Sequence, residues 1–526
     1  MPRVRPLALA ALTVLLGWVD VGLAEPASSD AENSAPIAKP AAAGDHAPRA
    51  PKPEAEQRPS YPVDEDPPIA DDAKRSLPNY DGRPEPRSAG DVLIWIPRVL
   101  FSPLYLVSEY LIRRPLGALV TVAERDNWAD AVVEFFTFGP NNSMGLVPTG
   151  LVDFGFRPSV GLYYYWNEAG HRDNAVRARA AFGGYDWRSL EITDRVSVGP
   201  DADIALGGEA TLRPDHVFYG LGPRSSADDP RYLRRDLRGQ LTYSAYLQTR
   251  PHGLPKGNAA QPSESKLRAA VGIRDARFDI GNQCCDDASV QSQVDAGLFP
   301  APAGSRDGYT IAFQQLDLTL DSRRRREQLF EQDASDWTQP PGTGVRLNLR
   351  AEHASSLRSA TPSLPSTTTE RQAWLKYGAS LGGFWDVTEQ QRVLGLQLIV
   401  DFVDPLLEGS EIPFNEQVSL GGERPLRGFL EGRLVDRSSA VLLFNYTWPI
   451  WVWLDGALHY AVGNVFGEHL SGLEPGLLRQ SAGIGIRAVG SRDHMLELLV
   501  AFGSKPFDAG GEPESLRFVL GATSGF

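Results

Sequence analysis

The sequence predicts an all-β protein, a transmembrane barrel of about 16 antiparallel strands that occupies residues 141–526. From about residue 145 apolar positions alternate with polar or small ones, as Val152 and Phe154 alternate with Asp153 and Gly155. The alternating segments are roughly 10 residues long, the length that a tilted strand needs to cross a bilayer, and aromatic residues gather near their ends. A soluble two-layer sheet gives the same alternation. Segment length and aromatic placement favour the membrane barrel.

Composition narrows the class of protein further. The chain of 526 residues carries a formal charge of −14, which argues against a nucleic-acid partner. No run of about 18 uncharged apolar residues follows the N-terminus, so a bundle of transmembrane helices is excluded. The eight histidines show no Ser/His/Asp signature and no metal-ligand spacing, so we predict no enzymatic activity, no metal and no cofactor. The redox state of the adjacent pair Cys284 and Cys285 stays open.

The first 90 residues have the pattern of an exported chain. Residues 1–24 combine Arg3 and Arg5, an apolar core over 7–16 and a small-residue cleavage site ending at Ala24, which predicts a secretory signal peptide. Residues 25–90 are rich in Pro, Ala, Ser and acidic residues, with almost no large apolar groups. Such a segment buries too little surface to offset its ordering entropy, so we expect a disordered linker in the periplasm.

Residues 91–140 predict short amphipathic helices. Leu100, Leu104 and Val107 recur at helical spacing. Two interpretations remain open at this stage. The helices either pack against the neighbouring domain or lie at the membrane interface, with Trp95 and Tyr105 at headgroup depth.

The alternating segments give a strand count and a topology. Their expected starts lie near residues 145, 157, 174, 187, 203, 232, 266, 309, 344, 373, 391, 438, 453, 479, 494 and 515. An even number places both ends of the barrel on the periplasmic side, with short turns there and long loops such as 278–308 and 405–437 outside. The stretch 420–436 follows the eleventh strand, so it begins on the outer face.

That stretch and three others carry a family resemblance. The stretch 420–436 contains the signature residues Gly421, Gly422, Leu426, Arg427, Gly428, Phe429, Gly432 and Arg433. The other three motifs are FYGLGP at 218–223, Asp321-Ser322-Arg323 with PGTG at 341–344, and GNVF at 463–466. Together, in this order, they resemble the BamA/TamA outer-membrane superfamily, also called bacterial surface antigens. The C-terminal strand is similar too, with Phe518 and Leu520 on one face and a terminal Phe526.

The resemblance implies where the signature arginine lies. Family barrels fold this loop into the lumen, with the arginine against acidic side chains on strands twelve and thirteen, whereas Asn445 and Ala461 stand at those positions here. A buried cation without a partner is costly, so Arg427 needs another carboxylate. Strand parity offers three candidates: Asp401, Asp455 and Glu497.

The resemblance also implies a function. The chain resembles a family member without POTRA domains, because residues 25–140 show no strand–helix–helix–strand pattern. We expect a barrel that assists insertion or transport of proteins or lipids at the outer membrane, through a weak seam between its first and last strands. Gly145, Pro148 and Gly150 fit such a seam, unless Pro148 merely precedes the first strand. The alternative function is a structural or pore-forming barrel. Expected partners are outer-membrane lipids and the machinery that assembles barrels; the client stays open.

Overall fold

The structure is a computed structural model of the chain. It describes residues 110, 114, 134–199, 201–225, 229–247, 265–306, 308–323, 342–358, 372–387, 392–451, 454–488 and 496–522. The predicted signal peptide, the predicted linker, most of the predicted helical segment 91–140 and the terminal Phe526 lie outside these residues. In the described part, no helix is both long enough and apolar enough to cross a membrane.

Sixteen strands form the wall of the molecule, and each begins within two residues of its expected start. They are β1 Met144–Asp153, β2 Ser159–Asn167, β3 Asn174–Gly184, β4 Trp187–Ser197, β5 Ala202–Val217, β6 Arg231–Tyr246, β7 Lys266–Asp279, β8 Tyr309–Asp321, β9 Gly344–Arg358, β10 Ala373–Asp386, β11 Val393–Pro405, β12 Ser438–Trp451, β13 Leu454–Phe466, β14 Arg479–Ala488, β15 Leu496–Ser504 and β16 Pro513–Ala522. Each pairs antiparallel with the next, and β16 pairs with β1. The predicted closed 16-stranded antiparallel barrel is confirmed.

The two faces of the wall differ as the alternation predicts. Leu396, Leu398 and Leu442 point outward and are each about half exposed, at 53%, 52% and 49%. Their strand neighbours Ile399 and Asp401 point into the lumen, where Asp401 is only 7% exposed. The outer surface is therefore an apolar belt, which a lipid bilayer would cover, while the lumen holds the charged side chains.

The connections that follow odd-numbered strands lie at one end of the barrel, which we call the loop end. It carries the connections after β5, β7, β11, β13 and β15, and one of them contains the short helix α1, Val290–Asp295. The opposite end, the terminal end, is where β1 begins and β16 finishes. Aromatic rings close the loop end around Phe414. Its ring centroid lies 4.9 Å from that of Phe278, 5.0 Å from that of Phe218 and 5.4 Å from that of Tyr232.

A short strand precedes the barrel on its seam side. Thr137–Phe138 pairs antiparallel with β1, and Thr137 stands opposite Gly145. Gly145 is paired on its other side with Tyr165 of β2. Since a strand has only two edges, Thr137–Phe138 lies along the edge of β1 that faces β16. Within the segment predicted as helical, residues 134–136 are helical and Thr137–Phe138 are extended.

Candidate functional site

The signature loop, residues 420–436, folds into the lumen. Its ends pair as a two-stranded ribbon, Val418–Leu420 with Leu434–Asp436. Between them Leu426 and Phe429 are fully buried. The loop packs against inward-facing side chains of three strands, namely Ile399, Val441, Leu443, Ala461 and Val465. The loop thus fills part of the lumen with an apolar core.

The backbone of the signature loop takes conformations that most residues avoid. Gly421, Gly422 and Gly432 have φ values of +99°, +69° and +81°. Leu426 also has a positive φ, +70°, although it carries a branched side chain and is fully buried. A non-glycine residue held there costs on the order of 1–3 kcal/mol, which the surrounding packing must offset.

Gly428 is the point where the loop touches the wall most closely. A Cβ at this position would lie 2.1 Å from the carbonyl oxygen of Phe502 on β15, so only glycine fits. Its N–H donates to Ser481 Oγ at 2.8 Å, and its carbonyl accepts from Ser515 Oγ at 2.7 Å. The absence of a side chain at Gly503 leaves room for the Phe429 ring, because a Cβ at Gly503 would lie 2.6 Å from that ring. Three neighbouring strands therefore fix the loop.

Arg427 binds one of its three candidate partners, Glu497 on β15. Its Nη1 and Nη2 donate to the two carboxylate oxygens at 2.8 and 2.6 Å, the bidentate geometry that a guanidinium favours. The side chains are 21% and 12% exposed. Asp401 instead accepts from Arg350 of β9, and Asp455 is buried on β13 with its Oδ2 lacking a hydrogen-bond partner.

The two positions where family barrels place acids have other roles here. Ala461 belongs to the apolar core under the loop. The Oδ1 of Asn445 lies 3.3 Å from His459 Nδ1. The carboxylate that neutralises Arg427 thus lies on β15, two strands beyond β13.

Two of the other motifs meet the signature loop at the loop end. The Arg433 guanidinium stacks 4.2 Å over the Tyr219 ring, and Gly222 N–H donates to the Val435 carbonyl at 3.0 Å. Asn464 Nδ2 donates to the Pro223 carbonyl at 3.2 Å. These contacts join three separate stretches of sequence into one cluster.

Glu514 at the start of β16 completes this cluster. Arg433 donates to it at 2.6 Å, and Arg479 of β14 pairs with its other carboxylate oxygen. The fourth motif lies elsewhere, at the terminal end. There Asp321 accepts from the Arg323 side chain, and Gly344 packs tightly against the Arg323 backbone. Pro341 of this motif is outside the described residues.

Sequence reasoning missed a second anchor of the loop, Glu416. This residue lies in a short helical turn just before the ribbon and is 1% exposed. Arg274 Nη1 donates to its carboxylate at 2.7 and 2.8 Å, Tyr309 Oη donates at 2.6 Å, and Lys376 Nζ lies 3.8 Å away. Burial raises the pKa of Glu416, but Arg274, Lys376 and the hydrogen bonds outweigh burial and lower it to about 2. The feature that marks Glu416 as an anchor of the loop is its burial, and burial cannot be read from the sequence.

A second missed feature joins the loop to the seam between β1 and β16. Arg517 of β16 donates to both carboxylate oxygens of Asp153 on β1, at 2.9 and 2.7 Å. The same guanidinium donates to the carbonyls of Gly422 and Arg427, at 2.6 and 3.3 Å. One side chain therefore spans the seam and holds the signature loop.

The remaining sequence-predicted residues lie apart from the site. Cys284 and Cys285 form a disulfide in the connection after β7. Phe518 and Leu520 face outward on β16, and the Phe518 ring packs 5.0 Å from that of Phe154 across the seam.

One group among the described residues offers three possible metal ligands, Asp404, Glu468 and His469. Arg437 already donates to both of the carboxylates, at 3.2 Å each. The guanidinium thus supplies the positive charge that a cation would bring.

No protein-family model matches the sequence, and neither does any curated protein. Solved structures of similar fold include BamA from Haemophilus ducreyi lacking POTRA domains 1–3. It is 13% identical, with 72% of this chain and 70% of that chain covered and a TM-score of 0.45. The others are CdiB from Acinetobacter baumannii (9% identical, 72% and 60% covered, TM-score 0.42) and CdiB from Escherichia coli (12%, 73% and 64%, 0.42).

The chain thus spans less than two thirds of the length of either CdiB chain. At these identities and TM-scores the similarity describes the fold alone. BamA, which lends its name to the superfamily that the four motifs resemble, is among the solved structures to which this closed barrel is similar.

Proposed function

We propose that the protein is an outer-membrane barrel that assists the insertion or transport of proteins or lipids by opening sideways between β1 and β16. The observation that carries this proposal is the shortness of the seam. Among the described residues, only three residue pairs join the two strands: Leu151 with Gly521, Val152 with Leu520 and Asp153 with Val519. In the described chain, every other neighbouring pair of barrel strands has at least seven such pairs. Fewer ladder hydrogen bonds make the seam the easiest place to part.

The composition of the two seam strands supports the same proposal. Pro148 lies inside β1, opposite Leu162 of β2, so it does not merely precede the strand. Proline cannot donate to a ladder, and a strand containing it belongs at an edge. At Gly521 a Cβ would lie 2.0 Å from the Gly150 carbonyl, so the strands meet backbone to backbone.

The apolar belt supports a place in a lipid bilayer, and the barrel architecture points to the bacterial outer membrane, with the N-terminal linker in the periplasm. The partners that follow are outer-membrane lipids and the machinery that inserts barrels. We propose no nucleic-acid partner and no enzymatic activity. The pore-forming alternative draws less support, because the signature loop and the aromatic rings around Phe414 occupy the lumen towards the loop end.

A disulfide across the seam tests the proposal. Val152 and Leu520 are directly opposite and both face outward, so Val152→Cys with Leu520→Cys meets the Cα separation that a disulfide requires. We expect the oxidised protein to lose its activity and a reductant to restore it. The measurement is the outer-membrane protein and lipid composition of cells whose only copy is this variant.

The matched control links two strands that should never part. Leu162 and Ala180 are opposite on β2 and β3, and the Leu162→Cys, Ala180→Cys pair should leave activity unchanged. Full activity of the oxidised seam variant would refute sideways opening. An unchanged outer-membrane composition on deletion, together with conductance in planar bilayers, would favour the pore-forming alternative instead.

A further inference from the structure

The lumen contains a cavity of about 420 Å³ between the tip of the signature loop and the terminal end. Residues 423–427 of the loop form its roof, and inward-facing residues of the strands from β9 to β15 form its walls. Its volume lies within the range of about 300–1,000 Å³ found for small-molecule sites. The cavity is therefore large enough for a small anion or a lipid headgroup.

The charged side chains around this cavity are mostly cationic. Five guanidinium groups and two carboxylates line it: Arg323, Arg346, Arg424, Arg427, Arg487, Glu423 and Glu497. The lining therefore has a surplus of three positive charges. Such a surplus in a lumen partly shielded from water attracts an anion carrying more than one charge.

The pairing of these groups shows which arginines remain available. Glu497 is engaged by Arg427, and Asp321 beside the cavity is engaged by Arg323. Within the part of the chain that the structure describes, the guanidinium of Arg424 donates only to the Ser419 carbonyl. Arg487 forms no ion pair there, although Asp455 stands opposite it on β13. Arg424 and Arg487 are the cations that a ligand would meet.

Two buried polar atoms point to the kind of anion. His459 lines the cavity, is 8% exposed, and has an Nε2 without a hydrogen-bond partner; the Nε of Arg427 is also buried without one. Nδ1 of His459 donates to Asn445 Oδ1 at 3.3 Å, which leaves Nε2 of the neutral ring as an acceptor. The site thus offers donors from guanidinium groups and one acceptor from imidazole. A hydrogen phosphate group has both the oxygens to accept and the P–OH to donate.

We propose that this lumenal cavity binds a phosphate group, held by Arg424, Arg427 and Arg487 and by His459 Nε2. The group belongs either to free phosphate or to the headgroup of a phosphomonoester lipid. A phosphate monoester carries between one and two negative charges near neutral pH, opposite in sign to the surplus of the lining. The proposal goes beyond the function proposed above and does not depend on sideways opening.

Calorimetric titration of the purified full-length protein in a zwitterionic detergent tests this binding. The probes are inorganic phosphate, dihexanoyl phosphatidic acid and, as an uncharged-headgroup reference, dihexanoylglycerol. We expect saturable binding of phosphate or phosphatidic acid and none of dihexanoylglycerol. The combined variant Arg424→Gln, Arg487→Gln should weaken binding at least about tenfold, since it removes two of the cations that hold the phosphate group through charge-assisted hydrogen bonds. Binding at least about tenfold tighter for the lipid than for free phosphate would identify the lipid as the source, and the reverse would identify free phosphate.

Arg224→Gln is the matched control, because it removes the same charge at the exposed loop end, where Arg224 pairs with Asp508. It should bind like the unaltered protein. Heat-modifiable migration in gels verifies that each variant has folded. Absence of saturable binding to the unaltered protein, or equal affinity in the folded double variant, would overturn the proposal. Neither result bears on the seam crosslink, so the two proposals fail separately.

Discussion

Arg427 is neutralised by a strand that the family pattern does not point to. The strand positions expected to carry acids present Asn445 and Ala461, and Ala461 instead contributes to the apolar core beneath the loop. Glu497 on β15 supplies the charge in a bidentate pair. The pair lies beside the Gly428 contact with β15, so charge and close packing act at the same place.

Removing one partner of this pair should destabilise the barrel. Arg427→Ala leaves Glu497 largely buried without a cation, and the loss for a fully buried pair is about 3–5 kcal/mol. We expect a value at or below the lower end of that range, since Arg427 keeps a fifth of its side chain exposed. The midpoint of thermal unfolding in detergent, followed by heat-modifiable gel migration, measures it.

The charge swap Arg427→Glu with Glu497→Arg should recover part of this loss. Arg424→Ala, an exposed arginine of the same loop, should leave the midpoint unchanged. Equal effects of Arg424→Ala and Arg427→Ala would show that the pair adds nothing to stability.

The sequence could predict the face of each partner but not its identity. Parity places Asp401, Asp455 and Glu497 all in the lumen, because alternation depends only on odd and even positions. Which of the three carboxylates pairs with Arg427 depends on how deep in the lumen the loop lies and on which strand it contacts. Gly428 and Gly503 decide that through a contact between distant segments, and no local pattern marks such a contact.

As an element, the loop between β11 and β12 is fixed on both sides of its tip. On the N-terminal side of the tip, Glu416 forms an ion pair with Arg274 of the barrel wall. On the C-terminal side, Arg433 forms an ion pair with Glu514. The strand pattern was predictable, since alternation is a local property of each segment. The course of the loop was not, because its anchors come from strands far away in the sequence.

Glu416 should make docking of the loop sensitive to acid. Its pKa in the folded protein, about 2, lies below that of an ordinary glutamate, about 4.5. The stabilisation is therefore present in full above about pH 4.5 and is lost as the pH falls towards 2. The amount at stake is on the order of 3 kcal/mol. Thermal unfolding of the unaltered protein and of Glu416→Gln between pH 7 and pH 3 measures it.

We expect Glu416→Gln to be less stable at pH 7 and the difference to shrink as the pH falls. Glu408→Gln, an exposed residue of the same loop, is the control and should follow the unaltered protein at every pH. A difference between Glu416→Gln and the unaltered protein that stays constant with pH would contradict the role given to this carboxylate.

On the scale of the whole molecule, the barrel closes at the junction that has the fewest residue pairs among the described residues. Arg517 and Asp153 bridge that junction from inside, and Arg517 also holds two carbonyls of the signature loop. The sequence pointed to β1 through Pro148, but not to the number of seam pairs. That number depends on how all sixteen strands are staggered, and stagger is a property of the closed ring.

Weakening this bridge should loosen the seam selectively. In Asp153→Asn the charge on Arg517 loses its partner, so the hydrogen bonds between β1 and β16 should open more often. We expect amide hydrogens of these two strands to exchange roughly tenfold faster, since a charge-assisted hydrogen bond contributes about 1.5–3 kcal/mol. Hydrogen exchange followed by mass spectrometry measures each strand separately.

Asp401→Asn is the matched control, because it removes the acid of another lumenal ion pair, with Arg350, away from the seam. It should leave exchange in β1 and β16 unchanged. Uniformly faster exchange throughout the barrel in Asp153→Asn would mean that the bridge supports the fold as a whole and not the seam.

The position of the signature loop also bears on the order in which the molecule can be built. The loop precedes β12 in the chain, yet its partners Ser481, Glu497 and Ser515 lie on strands that are synthesised later. A ring completed without the loop would offer Arg427 and Phe429 no path to their places except through its own end. The contacts of the loop with β14, β15 and β16 can therefore form only once these strands are in place, so docking of the loop and completion of the barrel depend on each other.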